Sequence, residues 1–123
     1  MPRFGELIYT EDVSGPAAAK KETHMPRIEA PDTVKKGEPF RVTIRVGPHP
    51  NEPGHSVRRI EVWFAEEGRQ FNPVHVATLI LEPGYGEPEV TLTLRLEKSG
   101  TLYALAYCNL HGVWEARKEI RVE

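Results

Sequence analysis

An all-β sandwich of about seven strands, preceded by an irregular amino-terminal arm, is the fold class this sequence predicts, on three observations. Apolar and polar residues alternate with a period of two through most of the chain after Pro26, the mark of strands half buried against a core. Turn pairs recur between the alternating runs at Lys36-Gly37, Gly47-Pro48, Pro53-Gly54, Glu67-Gly68, Pro83-Gly84 and Ser99-Gly100. Eleven prolines argue against extensive helix, because each costs roughly 3 kcal/mol in a helix interior.

Residues 1–25 form the arm: Gly15-Pro16, Ala17-Ala18-Ala19 and Lys20-Lys21-Glu22-Thr23 show no sustained period and read as a loop draped over the sandwich. The sandwich occupies 26–123, with strands expected near 27–30, 38–46, 57–65, 73–82, 89–97, 101–108 and 113–122. In the second of these, Phe40, Val42, Ile44 and Val46 share one face and Arg41, Thr43 and Arg45 the other. Val90 to Leu96 alternates in the same way, as do Trp114, Ala116, Ile120 and Val122 against Glu115, Arg117, Glu119 and Arg121. Between the second and third strands lies Gly47-Pro48-His49-Pro50-Asn51-Glu52-Pro53-Gly54-His55, too rich in proline and glycine for a strand.

A chain of 123 residues is about one domain with one core, so a single fold must carry the function. No apolar run approaches the roughly 20 residues of a membrane helix, and the first residues lack the pattern of a secretory signal, so the expected compartment is the cytoplasm. The net charge of -2 excludes a strongly basic nucleic-acid binder. A single cysteine, Cys108, permits no intrachain disulfide and fits a reducing compartment where a thiol serves as ligand or nucleophile.

Cys108 stands three residues before His111, in Tyr107-Cys108-Asn109-Leu110-His111-Gly112. Thiolate and imidazole bind zinc, copper and iron, and a Cys-x-x-His pair at a strand exit can turn two donors toward one ion. A buried cysteine beside an unrelated surface histidine is the plain alternative. What distinguishes this chain is the set: His24 ends the arm, His49 and His55 share a stiff loop, and His111 follows the cysteine. Sandwich loops cluster at two ends, so these segments can meet at one of them.

Taken together, Glu22-Thr23-His24-Met25-Pro26, His49-Pro50-Asn51-x-x-x-His55 and Cys108-Asn109-Leu110-His111-Gly112 resemble the one-iron superoxide reductases, or neelaredoxins, from about residue 20 to the carboxyl end. The related two-iron desulfoferrodoxins carry a further four-cysteine iron domain, which a chain with no cysteine before 108 lacks. The resemblance implies an immunoglobulin-like antiparallel sandwich and a mononuclear iron cycling between ferrous and ferric. Its ligands would be His24, His49 and His55 through Nε2, His111 through Nδ1, and the Cys108 thiolate. It further implies one-electron reduction of superoxide to hydrogen peroxide, re-reduction by an external donor such as rubredoxin, and assembly as a homodimer or homotetramer. Glu22 aligns with the glutamate that occupies the sixth position of the ferric resting state.

Five protein ligands leave one position on iron for a small molecule, and a thiolate pushes electron density toward whatever binds opposite it. The chain departs from the family at Thr23, where lysine is the commoner residue; that lysine attracts superoxide and orders the protonating water, and Lys21 or Lys20 is the substitute source of positive field. Leu110 and His111 amides are expected to hydrogen-bond the sulfur, Gly112 to supply a backbone angle other residues resist, and Pro50 and Pro53 to stiffen the histidine loop. Trp114 and Tyr107 read as core aromatics and His75 as non-ligating.

A blue-copper electron carrier would share the sandwich and the cysteine–histidine turn, but type-1 copper uses two histidines and usually an axial methionine, and methionine occurs here only at 1 and 25. An immunoglobulin-type binding module would leave the histidines incidental. A nucleophilic-cysteine enzyme with His111 as base would leave the other three without a purpose.

Overall fold

The computed structural model describes residues 1–123. Eight strands form two sheets: β1 (Arg27–Glu29), β2 (Thr33–Val34), β3 (Phe40–Arg45), β4 (Val57–Glu66), β5 (Val74–Ile80), β6 (Glu89–Leu94), β7 (Gly100–Cys108) and β8 (Gly112–Val122). One sheet runs β1-β3-β6 and the other β2-β8-β7-β4-β5. Seven of these are the strands expected from the alternation. The eighth, two-residue β2, lies parallel to β8, Thr33 opposite Arg121 and Val34 opposite Val122, so the sandwich is not purely antiparallel. Two residues are too short to display a period, and Pro31 just before them reads as punctuation.

The inward faces supply the core. Val42 and Ile44 from β3, Ile60 and Val62 from β4, Leu102 and Ala104 from β7, and Ile120 from β8 are all buried. Strand β7 is central to the larger sheet, and its inward residues pass from Leu102 to the smaller Ala104, Ala106 and Cys108 toward the hairpin with β8. At its other end Gly100 sits where an added Cβ would lie 2.1 Å from the Ala65 carbonyl, so no larger residue fits. Tyr107 is not a core residue as expected. It alternates with Cys108 onto the outer face, half buried beneath the Arg59 guanidinium at 5.8 Å.

The arm is more ordered than a draped loop. It contains 3-10 turns at Phe4–Leu7 and Gly15–Lys20, the second with a proline at its start, and runs into a single helical turn, α1 (Lys21–His24). Between the two 3-10 turns, Tyr9 pairs in parallel with Trp114 of β8.

Candidate metal centre

The register of the larger sheet builds the site. Strands β7 and β8 pair to their last residues, Cys108 opposite Gly112, which leaves Asn109, Leu110 and His111 as a three-residue hairpin. Gly112 takes φ +84°, the left-handed geometry such a connection needs. Strand β4 begins with Val57 opposite Cys108, so the end of the histidine loop enters the sheet beside the cysteine.

Asn109 ties loop to hairpin. Its Oδ1 accepts from the Ser56 amide at 2.9 Å, its Nδ2 donates to the Gly54 carbonyl at 3.0 Å, and its own amide donates to the Ser56 carbonyl at 3.3 Å. Asn51 anchors the other side of the loop, accepting from the Gly84 amide at 2.8 Å and donating to the Gly86 carbonyl at 3.2 Å. Within the loop, Glu52 and His55 exchange two backbone hydrogen bonds around Pro53-Gly54. Sequence reasoning gave neither asparagine a role. The available signal was an asparagine inside both the His49–His55 and the Cys108–Gly112 motifs, since this side chain can satisfy backbone donors and acceptors where strands end.

Three distant segments thereby converge. Donor atoms of His24, His49, His55 and Cys108 lie within 4.8 Å of one another. His111 closes the group, its Nδ1 standing 3.2 Å from His24 Nε2 and 3.7 Å from Cys108 Sγ. The imidazoles form a closed ring, with successive centroids 4.6 Å (His24–His49), 4.7 Å (His49–His55), 5.1 Å (His55–His111) and 4.9 Å (His111–His24) apart. His24 and His55 face across it at 6.5 Å. Cys108, 1% exposed, closes the protein side, while His49 and His55 are half buried.

Proton positions follow from the outer hydrogen bonds. A carbonyl only accepts, so His24 Nδ1 donates to the Lys20 carbonyl at 3.0 Å and His49 Nδ1 to the Pro50 carbonyl at 2.7 Å. In the neutral rings both Nε2 atoms then carry lone pairs, yet they stand 3.1 Å apart. His55 Nε2 is buried with no hydrogen-bond partner. Lone pairs aimed at one another and an orphaned buried nitrogen are unfavourable unless a cation lies among them. The donor set of imidazole and thiolate suits iron, copper or zinc.

The electrostatics favour the neutral form of His24, His49 and His111. Burial pushes His24 from 6.5 down to about 4, partly offset by its bond to the Lys20 carbonyl, with the neighbouring His49, His111 and His55 lowering it further. Burial likewise lowers His49 and, together with the Lys20 charge, His111. Neutral imidazole is the ligating form. A pH dependence follows for the metal-free protein. With a folded pKa below the unfolded 6.5, the unfolded chain takes up the His24 proton first, so stability is full above 6.5, falls as pH drops toward about 4, and changes no further from this group below that. Chemical denaturation of metal-free protein between pH 7 and 4 reads the slope, and His24→Gln flattens it.

The remaining expected site residues fall around this cluster. Thr23 Oγ1 lies 2.8 Å from His24 Nδ1 and 3.1 Å from the Lys20 carbonyl, supporting the ring from behind. Lys21 Nζ is occupied by the Glu11 carbonyl at 2.8 Å, whereas exposed Lys20 is the cation felt by His111. Glu22 is exposed on α1 and is not among the converging donors. The Leu110 and His111 amides do not donate to Cys108 Sγ as expected; its one hydrogen-bond contact is His111 Nδ1 at 3.7 Å. His75 lies apart, bonded to Thr78 Oγ1 at 2.7 Å and edge-on to Trp63. Trp114 is 1% exposed and donates Nε1–H to the His111 carbonyl at 3.0 Å.

Residues 16–117, which span all three motifs, match the desulfoferrodoxin domain. The chain belongs to the desulfoferrodoxin family. Similar desulfoferrodoxin relatives include a protein named putative superoxide reductase from Thermotoga maritima, 39% identical over 98% of this chain and 98% of its own length. Another is neelaredoxin from Megalodesulfovibrio gigas, 32% identical over 85% of this chain and 91% of its own. Among solved structures, superoxide reductase (neelaredoxin) from Ignicoccus hospitalis superposes with a TM-score of 0.94 at 63% identity, covering 99% of this chain and 100% of that one. The desulfoferrodoxin sandwich thus agrees with the fold class expected from the alternation. None of its helices is long and apolar enough to cross a membrane.

Proposed function

We propose that this desulfoferrodoxin-family protein is a superoxide reductase. The observation that carries the reading is the closed ring of four imidazoles beside a buried cysteine, in which the Nε2 atoms of His24 and His49 stand 3.1 Å apart and His55 Nε2 has no partner. His24, His49 and His55 through Nε2, His111 through Nδ1 and the Cys108 thiolate would hold one iron, which supplies one-electron reducing power and a position for a small anion. Superoxide takes up one electron and two protons to give hydrogen peroxide; its O–O bond is kept, and no oxygen is produced.

The chain's part is to hold His24 and His49 with their outer nitrogens bonded to the Lys20 and Pro50 carbonyls, so that both Nε2 atoms stay available. Superoxide approaches from the side of half-buried His49 and His55, since Cys108 closes the other. Glu22, exposed on α1 two residues before His24, is the carboxylate that would occupy the sixth position of the oxidised site. The electron is restored by an external one-electron carrier of the rubredoxin type.

The test is stopped-flow mixing of reduced protein with pulse-generated superoxide. Expected are about one iron per chain and hydrogen peroxide formed without oxygen; oxygen evolution, or protein that takes up no iron, overturns the reading. Positive steering is assigned to Lys20, which lies beside His111, whereas the Lys21 ammonium, though still charged, is held at the Glu11 carbonyl. Lys20→Ala therefore lowers the second-order rate with superoxide by about threefold to tenfold at low salt, an effect that fades at high salt. Lys21→Ala changes it less, and equal effects from both would remove the assignment.

A further inference from the structure

We infer that Tyr9 is a positioning residue of the metal centre, clamping Trp114 and through it holding His24 and His111 in place. The inference rests on the cluster being a metal site, and it concerns a residue outside the stretch that matches the family domain, which begins at residue 16.

Four observations meet at this residue. First, its backbone is fixed: the Tyr9 amide donates to the Val113 carbonyl at 2.9 Å and its carbonyl accepts from the Glu115 amide at 2.8 Å. These bonds occupy the edge of β8 near the hairpin, where β2, paired only at Arg121 and Val122, does not reach. Second, its ring stacks on Trp114 with centroids 4.7 Å apart and a 31° tilt. Third, Trp114 touches the site twice, donating to the His111 carbonyl at 3.0 Å and placing its ring 5.4 Å from that of His24. Trp114 is fully buried yet stands outside the main hydrophobic cluster of the sandwich, so its rotamer is set largely by its aromatic neighbours. Fourth, the Tyr9 ring lies against the start of β8, where a Cβ on Gly112 would come within 3.4 Å of it.

Tyr9, Trp114 and His24 thus form a three-ring stack from the surface to the ligand cluster. The Tyr9 hydroxyl makes no hydrogen bond within the chain, so the ring does the positioning and the phenol contributes nothing. This separates the clamp from a general stabilising contact. Phenylalanine at position 9 keeps both the stack and the backbone pairing; alanine keeps only the pairing. Outer groups that orient metal ligands typically change affinity by about 10- to 100-fold.

The experiment uses a Trp63→Phe background, in which Trp114 is the sole tryptophan. Tyr9→Ala, Tyr9→Phe and a control, Phe4→Ala in the same arm, are compared with the parent. In metal-free protein, Tyr9→Ala shifts Trp114 emission to the red and increases its quenching by acrylamide. In ferrous-loaded protein, Tyr9→Ala releases iron to a chelator about tenfold faster, while Tyr9→Phe and Phe4→Ala release it at the parent rate. If Tyr9→Ala does not fold, Tyr9→Leu, which keeps bulk without the ring, takes its place with the same expected outcome. Release at the parent rate from the ring-less variant overturns the clamp, as does a Tyr9→Phe variant as defective as alanine. Should the parent itself take up no iron, the metal-centre reading falls and the inference with it; should the parent load normally and Tyr9→Ala match it, the clamp alone falls.

Discussion

Cys108→Ser abolishes the visible absorption of the oxidised, iron-loaded protein and slows its reaction with superoxide by about 100-fold or more, while the fold survives. Cys108 ends β7 on the inward face and is 1% exposed, so no solvent molecule can substitute for its sulfur. Serine has almost the same shape, which keeps the β7–β8 hairpin and its Cys108-to-Gly112 register intact. Its hydroxyl stays protonated at neutral pH and donates little charge, so the push of the thiolate is lost. The stability cost is that of burying a hydroxyl, about 1–3 kcal/mol if unpaired, and less here because His111 Nδ1 is close by. Visible spectra, stopped-flow traces and circular dichroism on one preparation check the three parts. A retained band with a normal rate would show that sulfur does not serve the metal.

Asn109→Ala is expected to loosen the site without touching a ligand. The side chain bridges two backbone groups 53 and 55 residues away in sequence, the Ser56 amide and the Gly54 carbonyl. Gly54 is exposed, and its carbonyl can turn to water. Ser56 is 1% exposed, so its amide would be left buried and unpaired. The stability loss is about 2 kcal/mol, dominated by that amide. Iron affinity falls by roughly 10- to 100-fold, because His55 precedes Ser56 and loses its fixed distance from Cys108. Asn109→Asp keeps the acceptor for Ser56 but loses the donor to Gly54, so it should recover more than half of both effects. Chemical denaturation of metal-free protein and competition with a chelator measure the two separately. Equal losses from alanine and aspartate would shift the explanation to the Gly54 bond.

Much of this protein is legible in its sequence, and the residues show why. Strands such as β3 and β6 announce themselves because one face packs on the core, and burial imposes a period of two on their side chains. The ligand types were equally legible, since imidazole and thiolate have few other reasons to recur in turn-rich segments. Two-residue β2 and the turns of the arm were not, because elements so short hold no full period and are decided by what they pack against. Tyr107 was misplaced for a related reason: alternation puts neighbours on opposite faces, and the buried Cys108 sends Tyr107 outward.

By itself, then, the sequence determined a two-sided β-sandwich and a set of five metal-seeking side chains on three loops. Only the tertiary structure decided that they converge at one end of the sandwich, because that depends on register: Val57 opposite Cys108 brings the histidine loop to the hairpin, and Asn109 locks it there. It also decided that Lys20 lies beside His111 and that Tyr9 reaches Trp114. Register and long-range contact are fixed by the summed packing of whole strands, and no local pattern around a single residue encodes that sum.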